Sequence, residues 1–425
     1  MSSVFRLLPK NPKTHLFLRF FSLTPCPASE ISSSSSSSST CCRSLASAIF
    51  HERNLDALVK KFKKFSGSYR FRCKRSIYEM TVSRLAAAKR FSSIEEIINH
   101  QKKFSDISKE GFTIRLISLY GKANMFDHAR KLFDELPQLN SPRTVKLFNA
   151  LLTAGTDSKE YETVTKIFHE LAAECSVKPN VFSYNILIQA FCKMGSLDQA
   201  FSVLESMEEN GVTPNLITFN TLLNGFYSCN QFAEAEKIWA EMEKIGCVPD
   251  IISYNAKLRG MVSEGKLEEA VELVDELRHR GPKPDIFSFN ALIKGYCTDG
   301  NLEEAKKIYK ELLANNCAPN RWTFESLIPC VSDKGDLELA MKLCKESISR
   351  RCSIDVGIVQ GVVDALVRES RTEEAKKLVE IGVSKDHRYS GLKLPSAEND
   401  TYLVGRRTLW ILFERSSKDQ RMGKF

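Results

Sequence analysis

The chain has 425 residues, of which 43% are hydrophobic, so it can bury a sizeable core. No apolar run approaches the ~18 residues that a membrane-spanning helix needs, and we expect no membrane partner. The formal net charge is +9, but residues 1–74 carry thirteen basic and three acidic side chains, and the rest of the chain is nearly neutral. Net charge alone therefore does not indicate a general nucleic-acid binder.

Residues 1–45 have the composition of an organellar targeting segment. They contain five Lys and Arg, one acid and the unbroken serine run Ser32–Ser39. Such basic, serine-rich and acid-poor sequences are typical of transit peptides. Arg19-Phe20-Phe21-Ser22 resembles a mitochondrial cleavage site, so we expect a mitochondrial location, with the plastid as second choice. The alternative is a disordered serine-rich tail, since the serine run cannot form a core.

Residues 46–74 form a basic segment with one predicted helix near Leu55–Phe65, interpreted as a degenerate half-repeat. It contains four lysines that we expect to bind phosphate groups, as an anchor on rRNA or another phosphate-bearing partner. They are Lys60, Lys61, Lys63 and Lys64. The alternative is that these lysines only form a solvated helix face.

A period of 35 residues organises the body of the chain, and four residue types keep it. Asn230 occupies the one missing glycine position. The repeating residues are Pro179, Pro214, Pro249, Pro284 and Pro319; Ala200, Ala235, Ala270, Ala305 and Ala340; Asn185, Asn220, Asn255 and Asn290; and Gly195, Gly265, Gly300 and Gly335. Repeats of this length indicate an array of stacked units.

Each unit is predicted to be a pair of antiparallel helices. In residues 181–215, apolar side chains recur at helical spacing before Gly195 and again from Ala200 to Met207. Gly195 suits the left-handed residue that ends the first helix, and Asn230 suits it in the next unit. One pair cannot bury both its apolar faces, so neighbouring pairs must stack. The sequence therefore predicts an all-α solenoid of about nine units over residues 75–390, clearest over 145–355, and a non-repeat tail over 391–425.

The repeats resemble the pentatricopeptide repeat family. The resemblance lies in the period of 35, the Tyr/Phe-Asn-x-Leu-Ile segment, the Ala-x-x-Leu second helix and the Pro-Asp/Asn ending. The tetratricopeptide repeat has a period of 34 and a Trp-x-x-Leu-Gly pattern that is absent here. Uniform 35-residue units are similar to the P subclass of plant organellar members. The resemblance implies a right-handed superhelix that binds single-stranded organellar RNA, with one base read per repeat.

The resemblance also implies which residues read bases. In the family the fifth and last residues of a unit contact the base edge, and the second wedges the base. The fifth residues are Asn149, Asn185, Asn220, Asn255 and Asn290, and the matching last residues are Asn180, Asn215, Asp250, Asp285 and Asn320. The apolar second residues are Phe182, Ile217, Ile252 and Phe287, whereas Lys146 departs from the pattern.

Asn with Asp favours uracil in the family and Asn with Asn favours cytosine, which predicts a preference near CCUUC. We expect Lys193, Arg259 and Lys294 to contact phosphates. The alternative for each asparagine is that it merely caps its helix or bonds the backbone.

We expect a non-catalytic RNA-binding protein that acts in RNA processing, stability or translation and is monomeric outside any complex. The alternative is a structural constituent of the small subunit of the mitochondrial ribosome, because the chain resembles short family members found there. An enzyme ranks third, since the His-x-Glu and Cys-x-x-Cys motifs of zinc deaminases are both absent. We expect no metal, no cofactor and no catalytic residue.

Overall fold

The computed structural model describes residues 47–385 and 387–395. The predicted transit peptide, the serine run and most of the predicted tail lie outside these residues. The chain divides into two compact units, one ending at Met194 and the other beginning at Gly195, which we describe separately. Every regular element in the described ranges is helical, and none of these helices is long and apolar enough to span a membrane.

The described part of the first unit begins with helical residues 47–50 and continues with α1 to α9. These helices are α1 (Leu55–Phe65), α2 (Tyr69–Arg72), α3 (Arg75–Ala87), α4 (Phe91–Gln101), α5 (Glu110–Lys122), α6 (Phe126–Glu135), α7 (Val145–Asp157), α8 (Tyr161–Glu174) and α9 (Val181–Met194). Short 3₁₀ turns follow α4 at Ser105–Ser108 and α6 at Leu136–Leu139.

The second unit contains α10 to α20. These helices are α10 (Leu197–Glu209), α11 (Leu216–Ser228), α12 (Phe232–Lys244), α13 (Ile251–Ser263), α14 (Leu267–Arg280), α15 (Ile286–Thr298), α16 (Leu302–Ala314), α17 (Arg321–Asp333), α18 (Leu337–Ser349), α19 (Val356–Arg368) and α20 (Thr372–Lys385). A 3₁₀ turn at His387–Gly391 is the last regular element of the described chain.

The helices alternate in the way the period predicts. From α3 onward, odd-numbered helices begin the 35-residue repeats and even-numbered helices complete them. The residues between the two helices have positive φ, 75° at Gly195 and 57° at Asn230, so the predicted left-handed positions are confirmed. Glycine and asparagine tolerate this conformation better than other residues, which explains their place in the period.

Stacking of successive first helices builds the core of each unit. In the first unit α3 packs on α5, α5 on α7 and α7 on α9; in the second, α11 packs on α13, α13 on α15, α15 on α17 and α17 on α19. The approach is close, because a Cβ added at Gly260 of α13 would lie 2.3 Å from a ring carbon of Tyr227 in α11. The repeated alanines of the second helices are fully buried, as at Ala235 and Ala270. The predicted all-α architecture of stacked helix pairs is therefore confirmed.

Candidate nucleic-acid interface

The predicted fifth-position asparagines lie in the first helices of five repeats, one turn after each helix begins. Asn149, Asn185, Asn255 and Asn290 are buried, and Asn220 is half-buried. A buried amide needs hydrogen-bond partners, because an unsatisfied polar group in the interior costs about 1–3 kcal/mol. The partners of these amides therefore decide what the site can do.

The predicted last-position residues cap the following helices. Asp250 and Asp285 accept hydrogen bonds through Oδ1 from the first N–H groups of α13 and α15. Asn215 and Asn320 do the same for α11 and α17. Asn180 accepts through Oδ1 from the N–H groups of Phe182 and Ser183 at the start of α9. The capping role that the sequence left open for the fifth residue thus belongs to the last residue of each repeat.

Each amide of the second unit also bonds the capping side chain ahead of it. Asn220 donates through Nδ2 to Oδ1 of Asp250 at 3.0 Å. Asn255 does the same to Asp285 at 3.0 Å and Asn290 to Asn320 at 3.1 Å. In the first unit, Asn149 donates to Asn180 at 3.1 Å. We call these four the amide pairs.

A hydroxyl at the third position of the next repeat completes each amide pair. Ser253 donates to Oδ1 of Asn220 at 2.5 Å, and Ser288 donates to Oδ1 of Asn255 at 2.7 Å. Thr323 and Ser183 do the same for Asn290 and Asn149, at 2.8 and 2.6 Å. These hydroxyl residues are fully buried. Sequence reasoning missed them, although Ser183, Thr218, Ser253, Ser288 and Thr323 keep the 35-residue period.

The network fixes which atoms remain for a ligand. A carboxylate only accepts hydrogen bonds, so Asn220 must turn its N–H toward Asp250 and its oxygen toward Ser253. Within the described chain, Oδ1 of each last residue is used, whereas Oδ2 of Asp250 and Asp285 accepts no hydrogen bond. The corresponding Nδ2 groups of Asn180 and Asn320 donate none. Each amide pair thus leaves one side-chain atom of its last residue for a ligand. That atom is an acceptor where the last residue is Asp and a donor where it is Asn.

The second-position side chains supply exposed apolar surface. Phe182 and Phe287 are 45% and 53% exposed, and Ile217 and Ile252 are half-buried. Trp322, in the same phase of the next repeat, is 63% exposed. By contrast, Lys146 forms an ion pair with Glu110 at 3.1 Å, so the first amide pair lacks an apolar neighbour at this position.

The cations predicted to contact phosphates differ in their surroundings. Lys193 and Lys294 are exposed and form no ion pair in the described chain. Arg259 donates to Oδ1 of Asn224 at 2.5 Å and to the Asn255 carbonyl at 3.2 Å. In the basic segment, Lys61 and Lys63 pair with Glu52 and Glu96 at 2.5 and 2.6 Å. Lys60 and Lys64 are exposed.

The repeats outside these five carry other residues at the fifth position. Burial raises the pKa of Glu79, but hydrogen bonds from Lys122 and Arg75 outweigh it and hold the pKa below its usual value. Glu325 accepts from Arg321 at 2.7 Å and from the Asp355 N–H at 3.1 Å. These charged groups are occupied by protein partners and lack the amide donor.

Metal-ligand grouping and thiol acidity are the two remaining features of the described residues that bear on chemistry. They contain no group of three or more His, Cys, Asp or Glu side chains that could hold a metal ion. Burial raises the pKa of the Cys344 thiol to about 12 and raises the pKa values of Cys247, Cys317 and Cys352. Such thiols stay protonated at neutral pH and are poor nucleophiles.

Family models match the repeated region. A model described as the PPR repeat family matches residues 179–228, 214–263, 249–297 and 284–333. A pentatricopeptide repeat domain model matches residues 131–194, and a PPR repeat model matches residues 115–141. Together these matches cover residues 115–333, slightly more than half of the chain.

Several Arabidopsis thaliana proteins are similar in sequence. Small ribosomal subunit protein mS78 (rPPR3a) is 44% identical over 211 residues, which are 50% of this chain and 53% of that protein. Small ribosomal subunit protein mS79 (rPPR3b) is 42% identical over 214 residues, 50% of this chain and 52% of that protein. A pentatricopeptide repeat-containing protein described as mitochondrial is 42% identical over 134 residues, 31% of this chain and 32% of that protein. The chain thus spans about half the length of the first two relatives.

Proposed function

The chain belongs to the pentatricopeptide repeat family, and from that premise we propose that it binds single-stranded RNA through the amide pairs, without catalysis of its own. The observation that carries the proposal is the repeated arrangement of one amide, one capping Asp or Asn and one hydroxyl, found in four repeats with the same donors and acceptors. Arrays of helical repeats read one base per repeat with two or three side chains.

The atom left on each last residue accounts for a choice between pyrimidines. Oδ2 of Asp250 or Asp285 can only accept, so it complements the N3–H donor of uracil. Nδ2 of Asn180 or Asn320 can donate, so it complements the N3 acceptor of cytosine. The first, third, fourth and fifth bases of 5′-CCUUC-3′ follow from the four amide pairs, and the second base is an expectation from the sequence alone.

The neighbouring side chains supply stacking and charge. Exposed Phe182 and Phe287 offer ring faces to bases, and stacking of a base on an aromatic ring contributes about 1–3 kcal/mol. Lys193 and Lys294 are free to contact phosphates, and Arg259 can do so from its place beside Asn224. Three cations make a small electrostatic contribution, so we expect modest affinity and a shallow salt dependence.

A binding titration tests this proposal. The full chain is mixed with fluorescent single strands that contain CCUUC or its purine counterpart GGAAG in the same neutral context. We expect the CCUUC strand to bind at least about tenfold more tightly, since each correctly paired amide adds a net hydrogen bond. Equal affinity for both strands would contradict base reading by the amide pairs.

A second function is favoured by the relatives. The two small ribosomal subunit proteins are 44% and 42% identical to this chain, and another relative is described as mitochondrial. We therefore propose the mitochondrion as the location, with a structural place in the small subunit of the mitochondrial ribosome as the alternative role. Sedimentation of organelle extract separates the two: salt-resistant migration with the small subunit supports the structural role, and nuclease-sensitive migration with scattered transcripts supports the first.

A further inference from the structure

The beginning of the first unit carries positive charge that its own acids do not neutralise. Residues 47–109 contain fifteen Lys and Arg against six Asp and Glu, whereas residues 110–395 contain thirty-five against forty-one. All six acids already have a basic partner within 4 Å. The partners are Lys61 for Glu52, Arg90 for Asp56, Arg75 and Lys122 for Glu79, His128 for Glu95, Lys63 for Glu96, and Arg72 and Lys109 for Asp106.

Seven exposed cations of this segment are left without an ion pair in the described chain. They are Arg53, Lys60, Lys64, Arg70, Lys74, Lys89 and Lys103. An eighth unpaired cation, Arg84, is half-buried and donates to backbone carbonyls. An uncompensated charge on a folded surface is available to an outside anion. We call Lys60, Lys64 and Arg70 the α1 surface, because the first two lie one turn apart on α1 and the third follows in α2.

The α1 surface is rigidly supported. Leu58, Val59 and Phe62 on the other side of α1 are buried in the core. Lys63 ties α1 to Glu96 of α4 at 2.6 Å. Arg72 of α2 is bound to Asp106 at 2.6 Å, and both of these side chains are nearly inaccessible to solvent. The exposed cations therefore project from helices whose positions are fixed on their opposite sides.

The charge of α1 is exceptional among helices of its phase. It occupies the position of a second helix in the 35-residue period and carries four lysines against one acid. The later second helices, the even-numbered ones from α4 to α20, contain at least as many acidic as basic residues. The positive face is thus a local feature of α1 and not a property of the repeat.

We propose that the α1 surface binds the phosphate backbone of double-helical RNA, at a site separate from the amide pairs. The outward face of α1 carries no aromatic side chain on which an unpaired base could stack. The exposed ring of Tyr69, next to Arg70, already has Lys109 over it at 4.9 Å, so the surface offers contacts mainly to phosphates. A duplex presents its phosphates and hides its bases, and protein recognises it mainly through its backbone and shape. Insertion into a lipid surface is disfavoured because the apolar face of α1 is already buried.

The test uses the full chain and a blunt 20-base-pair RNA duplex, titrated between 50 and 200 mM salt. We expect the triple variant K60Q/K64Q/R70Q to bind the duplex about tenfold or more weakly, with the slope of log affinity against log salt reduced by about two to three. The variant K60R/K64R keeps both charges and should retain most of the affinity.

A matched control removes three equally exposed, unpaired lysines from later second helices, in K310Q/K342Q/K377Q. Its duplex affinity should change less than threefold. Equal losses of duplex affinity in both triple variants, or no loss of duplex affinity in either, would overturn the proposal. So would a loss of binding to phosphatidylserine vesicles by the first variant while its duplex binding stays intact.

The two proposals fail separately. The K60Q/K64Q/R70Q variant keeps every amide pair, so its discrimination between CCUUC and GGAAG strands should be unchanged. This unchanged discrimination also shows that the variant is folded. If the unsubstituted chain shows no base discrimination but loses duplex affinity in this variant, the amide proposal is wrong and the α1 surface stands.

Discussion

Ser253 shows what one side chain contributes to the site. Its hydroxyl donates to Oδ1 of Asn220 at 2.5 Å and accepts from the N–H of Asp250 at 3.1 Å. It therefore holds both members of an amide pair, although its own side chain is fully buried. A prediction that considers only the second, fifth and last positions of a repeat does not identify this residue. Its hydroxyl nevertheless determines how the amide is oriented.

The substitution Ser253→Ala should weaken both stability and recognition. It leaves the Asn220 oxygen without its donor in a half-buried position, which costs about 1–3 kcal/mol in the free energy of unfolding. The protein should lose its preference for uracil at the third base, because the Asn220 amide is no longer held in its orientation. Urea unfolding and strand titration measure the two effects. The control Ser202→Ala, at an exposed position of α10, should change neither. Unchanged stability and unchanged base preference in the Ser253→Ala protein would contradict this role of the hydroxyl.

Asp106 gives a pH-dependent prediction. Burial raises its pKa, but hydrogen bonds from Lys109 and Arg72 outweigh this and hold the pKa below its usual value. The folded state therefore binds this proton less readily than the unfolded chain, so the stabilisation is present above about pH 4 and is lost as pH falls further.

Asp106→Asn should lower the free energy of unfolding by about 3 kcal/mol at pH 7, since it leaves Arg72 almost buried and unpaired. The difference from the unsubstituted protein should shrink as pH is lowered from 5 to 3, as followed by urea unfolding. Asp198→Asn, at an exposed site without an ion pair, serves as control. A difference that stays constant or grows toward low pH would contradict the assignment.

At the scale of the helix, the turn between paired helices depends on a left-handed residue. Gly195→Ala should destabilise the protein by about 1–2 kcal/mol, because φ is 75° there and a Cβ disfavours that conformation. Gly361→Ala is the matched control, since Gly361 lies at an exposed position of α19 with open space around an added Cβ. That change should stabilise by about 0.5–1 kcal/mol. Thermal unfolding measures both, and the same sign for the two would contradict this account.

The sequence period was sufficient to predict the helix pairs, their left-handed turns and the register of the asparagines. It could not show the bonds within the site, because Asn220 and Asp250 are thirty residues apart and their contact depends on how two first helices pack. The basic run of residues 60–64 likewise made Lys61 and Lys63 equivalent to Lys60 and Lys64. Only folding brings Glu52 and Glu96 to the first two, and so separates paired lysines from exposed ones.

At the scale of the whole molecule, charge and hydrogen-bonding groups are distributed differently along the chain. The net positive charge of the described chain lies in residues 47–109, whereas the amide pairs lie between residues 149 and 320. The proposed base reading and the proposed backbone binding therefore rest on separate residues, and substitutions can test them one at a time. Backbone binding matters more for a protein held in a ribosomal subunit, whereas base reading matters more for a factor that selects transcripts.

The central claim is that the last residue of each amide pair selects the pyrimidine, and a double exchange tests it most directly. Asp250→Asn with Asp285→Asn keeps both helix caps and both amide bonds but replaces the free acceptor with a donor. We predict that the full chain binds CCUUC more tightly than CCCCC and that the double variant reverses this order, as measured by strand titration. An unchanged preference for CCUUC in a folded double variant would contradict the account.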